Sequence, residues 1–245
     1  MQKRQLLYSG KAKDIYATSD PNLVIMRYRD DLTALNGEKR GSFEGKGAIN
    51  QAVSDTIFAF LENRGIKTHF VKTLGDNETL VKAVTILPLE VIVRNVAAGS
   101  FSRKYGVKEG TPLKSAVLEY SYKMDELGDP MLAESHILAL GLATQEQLNK
   151  IADSTYKVND ALKELFSRLG LNLIDFKVEF GVTSDGDILL ADEITQDSCR
   201  LWDMETGVRV DKDRFRQDLG GVKDAYQDLL ERLTRASTPT SCENA

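Results

Sequence analysis

Ile174-Asp175-Phe176-Lys177-Val178-Glu179-Phe180-Gly181 and, a short loop later, Ile188-Leu189-Leu190-Ala191-Asp192-Glu193 are the stretches whose reading decides the fold. The first alternates with period two, as a half-buried strand does. Ile174, Phe176, Val178 and Phe180 fall on one face, Asp175, Lys177 and Glu179 on the other. Between the two runs lies Thr183-Ser184-Asp185-Gly186-Asp187, and Asp-Gly flanked by apolar residues is a strong hairpin signal. A two-residue turn at Asp185-Gly186 pairs Ser184 with Asp187 and, counting back, sets Glu179 opposite Asp192. Directly opposed side chains have Cβ atoms roughly 5 Å apart. Two carboxylates at that spacing repel by about 3 kcal/mol at an effective dielectric of about 20. A cation or a shared proton between them relieves the repulsion. The pair therefore predicts a Mg2+ site, and with it phosphate chemistry. The competing reading is a solvated acidic strand face, in which a longer loop slips the register by one and separates the acids. Against it, the second strand meets the first with another acid and not with a lysine.

The 245 residues suffice for one large or two small domains. Apolar content of 42% and charged content of 28% are ordinary for a soluble globular chain. A net charge of −5 argues against nucleic acid or a membrane surface as partner, while 32 Lys and Arg residues leave room for a local basic pocket. No apolar run approaches the roughly 18 residues of a membrane span. Met1-Gln2-Lys3-Arg4-Gln5 leads into a strand pattern and not a signal-peptide core. Cys199 and Cys242, far apart, indicate no disulfide framework and no zinc knuckle. These features predict a cytoplasmic protein.

Residues 5–30 alternate as β-structure, broken by a turn at Ser19-Asp20-Pro21-Asn22. A helix opens after Gly41–Gly47, with Ile49, Val53, Ile57, Phe58 and Leu61 at helical spacing, and stops at Gly65. Strands are expected near His69–Lys72, Thr79–Val84 and Leu87–Val93. A second helix starts at the capping box Thr144/Gln147, carries the stripe Leu148, Ile151, Val158, Leu162, Leu165 and Leu169, and ends at Gly170. A last helix covers about Val222–Arg235. The pattern predicts an α+β protein with a β-rich N-terminal lobe over residues 1–85 and a larger α+β lobe over 86–235. A disordered tail over 236–245 completes it, and the site lies between the lobes.

Three further segments carry chemistry. In Tyr8-Ser9-Gly10-Lys11-Ala12-Lys13-Asp14-Ile15-Tyr16, Lys11 and Lys13 project to one side of a strand-loop-strand, as covering a polyphosphate requires. This is not a Walker loop, for no G-x-x-x-x-G-K-[ST] occurs in the chain. In the segment Leu87–Ser100, Arg94 sits at a strand end and Ser100 follows Gly99, which lets a ligand approach the backbone. Arg94 suits a phosphate held by two parallel hydrogen bonds, or an ion pair with Glu90 that caps the strand. Thr195-Gln196-Asp197-Ser198-Cys199-Arg200-Leu201-Trp202-Asp203 brings Arg200 to the acid pair. His69 and His136 read as structural and Cys199 as a packed thiol. No Ser-His-Asp or Cys-His arrangement is legible.

GKAKDIY, LPLEVIVRNVAAGS, LIDFKVEFG, DEITQDSCRLWD and DKDRFRQDLGG together resemble the bacterial SAICAR synthetases over about residues 1–235. The resemblance implies a two-lobed fold related to ATP-grasp and kinase architectures. It implies ligation of carboxyaminoimidazole ribonucleotide to L-aspartate with ATP, in purine biosynthesis. By the same resemblance Lys11, Lys13 and Lys82 contact ATP, and Glu179 and Asp192 ligate Mg2+. Arg94, Ser100 and Arg200 hold the ribotide 5′-phosphate, Asp175 and Lys177 face the substrate, and the protein is a homo-oligomer. Asn36 stands where some relatives carry an acid for a second metal. Lys123 and Asp129 match family positions without an assigned role. The alternatives are a kinase-like phosphotransferase, which lacks its H-R-D tripeptide here and has DFK in place of DFG, and a non-catalytic nucleotide sensor.

Overall fold

Alternating residues near the N-terminus form β1 (Leu6–Ser9), β2 (Lys13–Ala17) and β3 (Leu23–Tyr28) of a computed structural model that describes residues 2–34, 38–75 and 77–237. Asn36, Cys242 and the tail beyond Ser237 lie outside the described residues. A small ribbon, β4 (Asp31–Ala34) with β5 (Lys39–Ser42), precedes α1 (Lys46–Glu62). Next come β6 (Phe70–Gly75) and β7 (Glu78–Lys82), which complete an antiparallel sheet of order β1-β2-β3-β7-β6.

The chain then passes to a second sheet. β8 (Thr85–Ile86) and β9 (Leu89–Val96) lead into α2 (Gly99–Tyr105), β10 (Pro112–Tyr122), β11 (Met131–Leu132) and α3 (Glu134–Ala139). After α4 (Gln145–Arg168) come β12 (Leu171–Val182), β13 (Ile188–Ala191), β14 (Cys199–Asp203), α5 (Asp213–Arg216) and α6 (Val222–Ser237). The order is β11-β10-β9-β12-β13, and β12 also pairs with β8 and β14. The named strands pair antiparallel, while Thr68 and Leu190 form a parallel bridge that ties the start of β6 to the end of β13.

β12 is the structural axis. Phe176, Val178 and Phe180 are buried in the main core, which leaves the polar face of the strand to Asp175, Lys177 and Glu179. α4 covers the apolar side. Its N-cap Thr144 accepts from the Gln147 N–H at 3.2 Å, while the Gln147 side chain accepts from the Thr144 N–H at 2.8 Å. Leu148, Ile151, Val158, Leu162 and Leu165 are buried along one stripe, each contributing about 1.5–3 kcal/mol on removal from water. The two larger sheets part between Lys82 and Thr85. α1 nevertheless contributes Val53, Ile57, Phe58 and Leu61 to the same core as Leu229 and Leu233 of α6.

Candidate active site

The hairpin that joins β12 to β13 is one residue longer than the sequence suggests. Thr183 donates its N–H to the Asp187 carbonyl at 2.9 Å, and Gly186 donates back to Thr183 at 3.0 Å. Ser184, Asp185 and Gly186 thus form a three-residue loop, with Gly186 at φ +87° in the left-handed position that such a loop demands. The register slips accordingly, and Glu179 pairs with Ala191, not with Asp192. The expected opposition of Glu179 and Asp192 in the ladder is therefore incorrect. The acids still meet, because Asp192 adopts φ +63° just past the end of β13. Asx residues tolerate that conformation better than most. It turns the carboxylate off the regular alternation and back toward Glu179.

Their proximity shows in their ionisation. Burial and the Asp192 charge push the Glu179 carboxyl up to about 7, against the opposing pull of Lys123. Asp192 is held at about 2: burial works to raise it, but Lys13 and Lys123 prevail. Lys13 lies 2.5 Å from Asp192 Oδ1 and 3.5 Å from Glu193 Oε1. Lys123 lies 2.5 Å from Glu179 Oε1. Glu193 Oε2 is buried with no hydrogen-bond partner. His69 packs edge-on against Phe58 at 5.3 Å and against the Asp192 main chain, and burial lowers it to about 4, so it is neutral. Its role is structural, as is that of His136, whose Nδ1 accepts from the Ala133 N–H at the start of α3. Among the described residues no group of three or more His, Cys, Asp or Glu side chains is arranged to hold a metal. Mg2+ asks for less: one or two carboxylates, completed by phosphate oxygens and water.

Further along the same face of β12 runs a row of ions, buried at Arg94, Glu119, Asp175 and Asp213 and half-buried at Arg200 and Arg216. Asp175 pairs across the ladder with Arg94 of β9 on one side and Arg200 of β14 on the other. Arg94 Nη1 lies 3.0 Å from Asp175 Oδ2, and Arg200 Nη1 lies 2.8 Å from the same oxygen. Arg94 also donates to Glu119 Oε2 at 2.5 Å and to Ser100 Oγ at 3.1 Å, whereas Glu90 pairs with Lys177 instead of Arg94. Arg200 donates through Nε to Asp213 Oδ2 at 2.8 Å, and Arg216 reaches Asp213 Oδ1 at 2.6 Å. Burial alone lowers the Arg200 pKa, yet Asp175 and Asp213 raise it overall. Gly99 is close-packed by this row. Arg200 Nη2 sits 2.7 Å from where a Cβ would stand, and Gly99 has φ +51°. The backbone approach expected of a ligand at Gly99 is made by this guanidinium. A cavity of about 200 Å³ opens here, lined by Ile92, Arg94, Ser100, Lys177, Arg200 and Arg216.

The remaining lysines take separate partners. Lys11 is half exposed and pairs with Asp125 at 2.7 Å, so it and Lys13 bridge to different points, the turn after β10 and the residue after β13. Lys82 is exposed at the end of β7, its Nζ 3.4 Å from the Thr68 carbonyl. Glu119, Glu193, Asp213 and Arg216 were not anticipated from sequence. Glu119 lies two residues along β10 from the partner of Arg94, a diagonal relation that appears only once strands are paired.

An antiparallel sheet that sets two acids beside lysines, with buried Arg94 and half-buried Arg200 around a small cavity, has the make-up of an enzyme that handles anions. The SAICAR synthetase family profile matches residues 6–233. The phosphoribosylaminoimidazole-succinocarboxamide synthase of Clostridium botulinum (strain Eklund 17B / Type B) is 54% identical over 235 residues, covering 96% of this chain and all of its own. The crystal structure of the same-named protein from Ehrlichia chaffeensis superposes with a TM-score of 0.92 at 45% identity, over 94% of this chain and 98% of that one. A SAICAR synthetase solved in complex with ADP gives a TM-score of 0.91 at 43% identity, with the same coverage. The chain belongs to the SAICAR synthetase family.

Proposed function

We propose that this protein ligates carboxyaminoimidazole ribonucleotide to L-aspartate with ATP, giving the succinocarboxamide ribonucleotide, ADP and phosphate in purine biosynthesis. The observation that carries the reading is the spacing along one face of β12. The arginine pair flanks Asp175 at one end, and the coupled acids begin at Glu179. Four residues of strand place these about 13 Å apart, comparable with the length of a ribotide from its phosphate to its base. A molecule gripped by its phosphate at Arg94, Ser100 and Arg200 lays its imidazole carboxylate toward the acids, past Asp175 and Lys177.

Joining a carboxylate to an amine in water is uphill, so the acid is first activated. A carboxylate oxygen attacks the γ-phosphorus of ATP in line, the bond to ADP breaks, and an acyl phosphate results. The aspartate amine then attacks the acyl carbon, the C–O bond to phosphate breaks, and the amine loses a proton. Such transfer depends on positioning and charge neutralisation more than on protein nucleophiles. That suits a site of acids, lysines and arginines. Glu179 and Asp192 fit a divalent cation, with the unpartnered Glu193 Oε2 beside them. Mg2+ bound there supplies charge for the transferred phosphoryl oxygens, a contribution of several kcal/mol. Lys11, Lys13 and Lys82 bind ATP, with Lys13 and Lys123 as counter-ions to the acids. The lobe over residues 1–85 closes to exclude water that would hydrolyse the acyl phosphate. Among the described residues no helix is long and apolar enough to cross a membrane. We place the enzyme in the cytoplasm as a homo-oligomer, which light scattering tests directly.

The phosphate assignment is tested by titrating Arg94→Ala with each ligand separately in a calorimeter. Ribotide affinity should fall by at least about tenfold, the loss of a bidentate charge-assisted contact, with ATP affinity retained. Equal weakening of both ligands would refute it.

A further inference from the structure

The arginine row ends on two buried acids that lie outside the lining of the cavity. Glu119 of β10 and Asp213 of α5 are 9% and 1% exposed, and neither lines the cavity that Arg94, Arg200 and Arg216 share. Each takes the Nε edge of one arginine, Glu119 that of Arg94 and Asp213 that of Arg200. Asp175, between them, holds Nη1 of both. Arg94 therefore commits Nε, one N–H of Nη1 and one of Nη2, since Ser100 accepts the last. A guanidinium has five donors. Two remain on Arg94, one on each terminal nitrogen, for the oxygens of a phosphate. Arg200 gives Nε to Asp213 and Nη1 to both oxygens of Asp175, and its Nη2 sits against Gly99.

We propose that Glu119 and Asp213 are positioning residues for the substrate's phosphate monoester: by capturing the Nε edges of Arg94 and Arg200, they hold both guanidiniums at the cavity, where the N–H groups left uncommitted meet the phosphate. This rests on the reading of that cavity as the ribotide phosphate site. The two acids do not touch the substrate. Their effect passes through the arginines, whose long side chains would otherwise sample many rotamers.

The sign of the effect separates this role from two simpler ones. If the acids acted only through charge, removing a negative group near a dianion site would tighten ribotide binding. If they only stabilised the fold, the thermal midpoint would fall and the ratio of the two substrate KM values would hold. Positioning predicts weaker ribotide binding on loss of an acid charge.

The test uses the full-length enzyme with Glu119→Gln and Asp213→Asn, both nearly isosteric, and measures KM for ribotide and for ATP, kcat and the thermal midpoint. Ribotide KM should rise roughly tenfold in each, while ATP KM and kcat stay within about twofold. KM does not depend on how much of a preparation is folded, so a destabilised variant still reports, and the two substitutions probe opposite ends of the row independently. An unchanged or lowered ribotide KM in both variants would overturn the proposal. Arg94→Ala, run alongside, separates the two levels: should it leave ribotide binding intact, the phosphate site is elsewhere. Should it abolish binding while the acid variants behave as wild type, only the positioning role fails.

Discussion

Asp192 holds φ +63° at the end of a buried strand, a conformation that costs a non-glycine residue about 1 kcal/mol or more. Its return is a carboxylate beside Glu179 that the strand register alone would not deliver. Glu179→Gln keeps the size and one acceptor but halves the anionic pair. Turnover should drop by at least about 10²-fold with the thermal midpoint held within a few degrees, measured by steady-state kinetics and calorimetry. Near-normal activity would reject the metal assignment. Gly99→Ala tests the other end of the face. It forces a side chain onto φ +51° and into Arg200 Nη2, so stability should fall by about 1–2 kcal/mol in a denaturant titration and ribotide KM should rise. The proposed site is largely legible as residue types: acids, lysines and arginines at strand spacing, with no nucleophile–base pair. Asp192 comes beside Glu179 by a different route from the one the spacing predicts. The sequence showed two acids near a turn but not the left-handed residue that reunites them after the slip.

At the scale of elements, hydrophobic period and cap chemistry served well where segments are long. α4 was readable from Thr144, Gln147 and its leucine stripe because a 24-residue amphipathic helix repeats its signal many times. The short α2, α3 and α5 repeat nothing, and no helix is expected from the sequence at any of them. The β12–β13 loop failed for a related reason, since Asp-Gly suits two-residue and three-residue loops alike. Gly186→Ala should cost about 1 kcal/mol in a denaturant titration. Its φ is +87° and nothing lies within 4 Å of the added Cβ, so the cost is conformational. Beyond β14, Asp203 clamps a turn. Its Oδ1 accepts from the N–H groups of Glu205 and Thr206 and from the Thr206 hydroxyl, and its Oδ2 from Arg232. Hydrogen bonds from Thr206 and Arg232 hold its carboxyl at about 2. A folded-state value below the ordinary one stabilises the protein above about pH 4, and that stability is lost as pH falls toward 2. Asp203→Asn should therefore be less stable than wild type at pH 7, by about 1 kcal/mol, with the gap closing near pH 2–3 in urea titrations.

Across the whole molecule, β12 organises both core and site, with Phe176, Val178 and Phe180 turned into one and Asp175, Lys177 and Glu179 toward the other. The two larger sheets part between Lys82 and Thr85. That α1 shares the larger core is not legible in the sequence, because helix packing partners leave no local signature. Lys13 of β2 reaches Asp192, and Lys11, between β1 and β2, reaches Asp125, so the N-terminal sheet is tied by charge to residues 86–237. The most direct test of that arrangement follows ADP release and succinocarboxamide formation together, in steady state, at fixed ATP and ribotide with and without L-aspartate. One ADP per amide, with release falling to background when aspartate is withheld, is the predicted result. Sustained ADP release that ignores aspartate, or that leaves a phosphorylated hydroxyl and no amide, would contradict it.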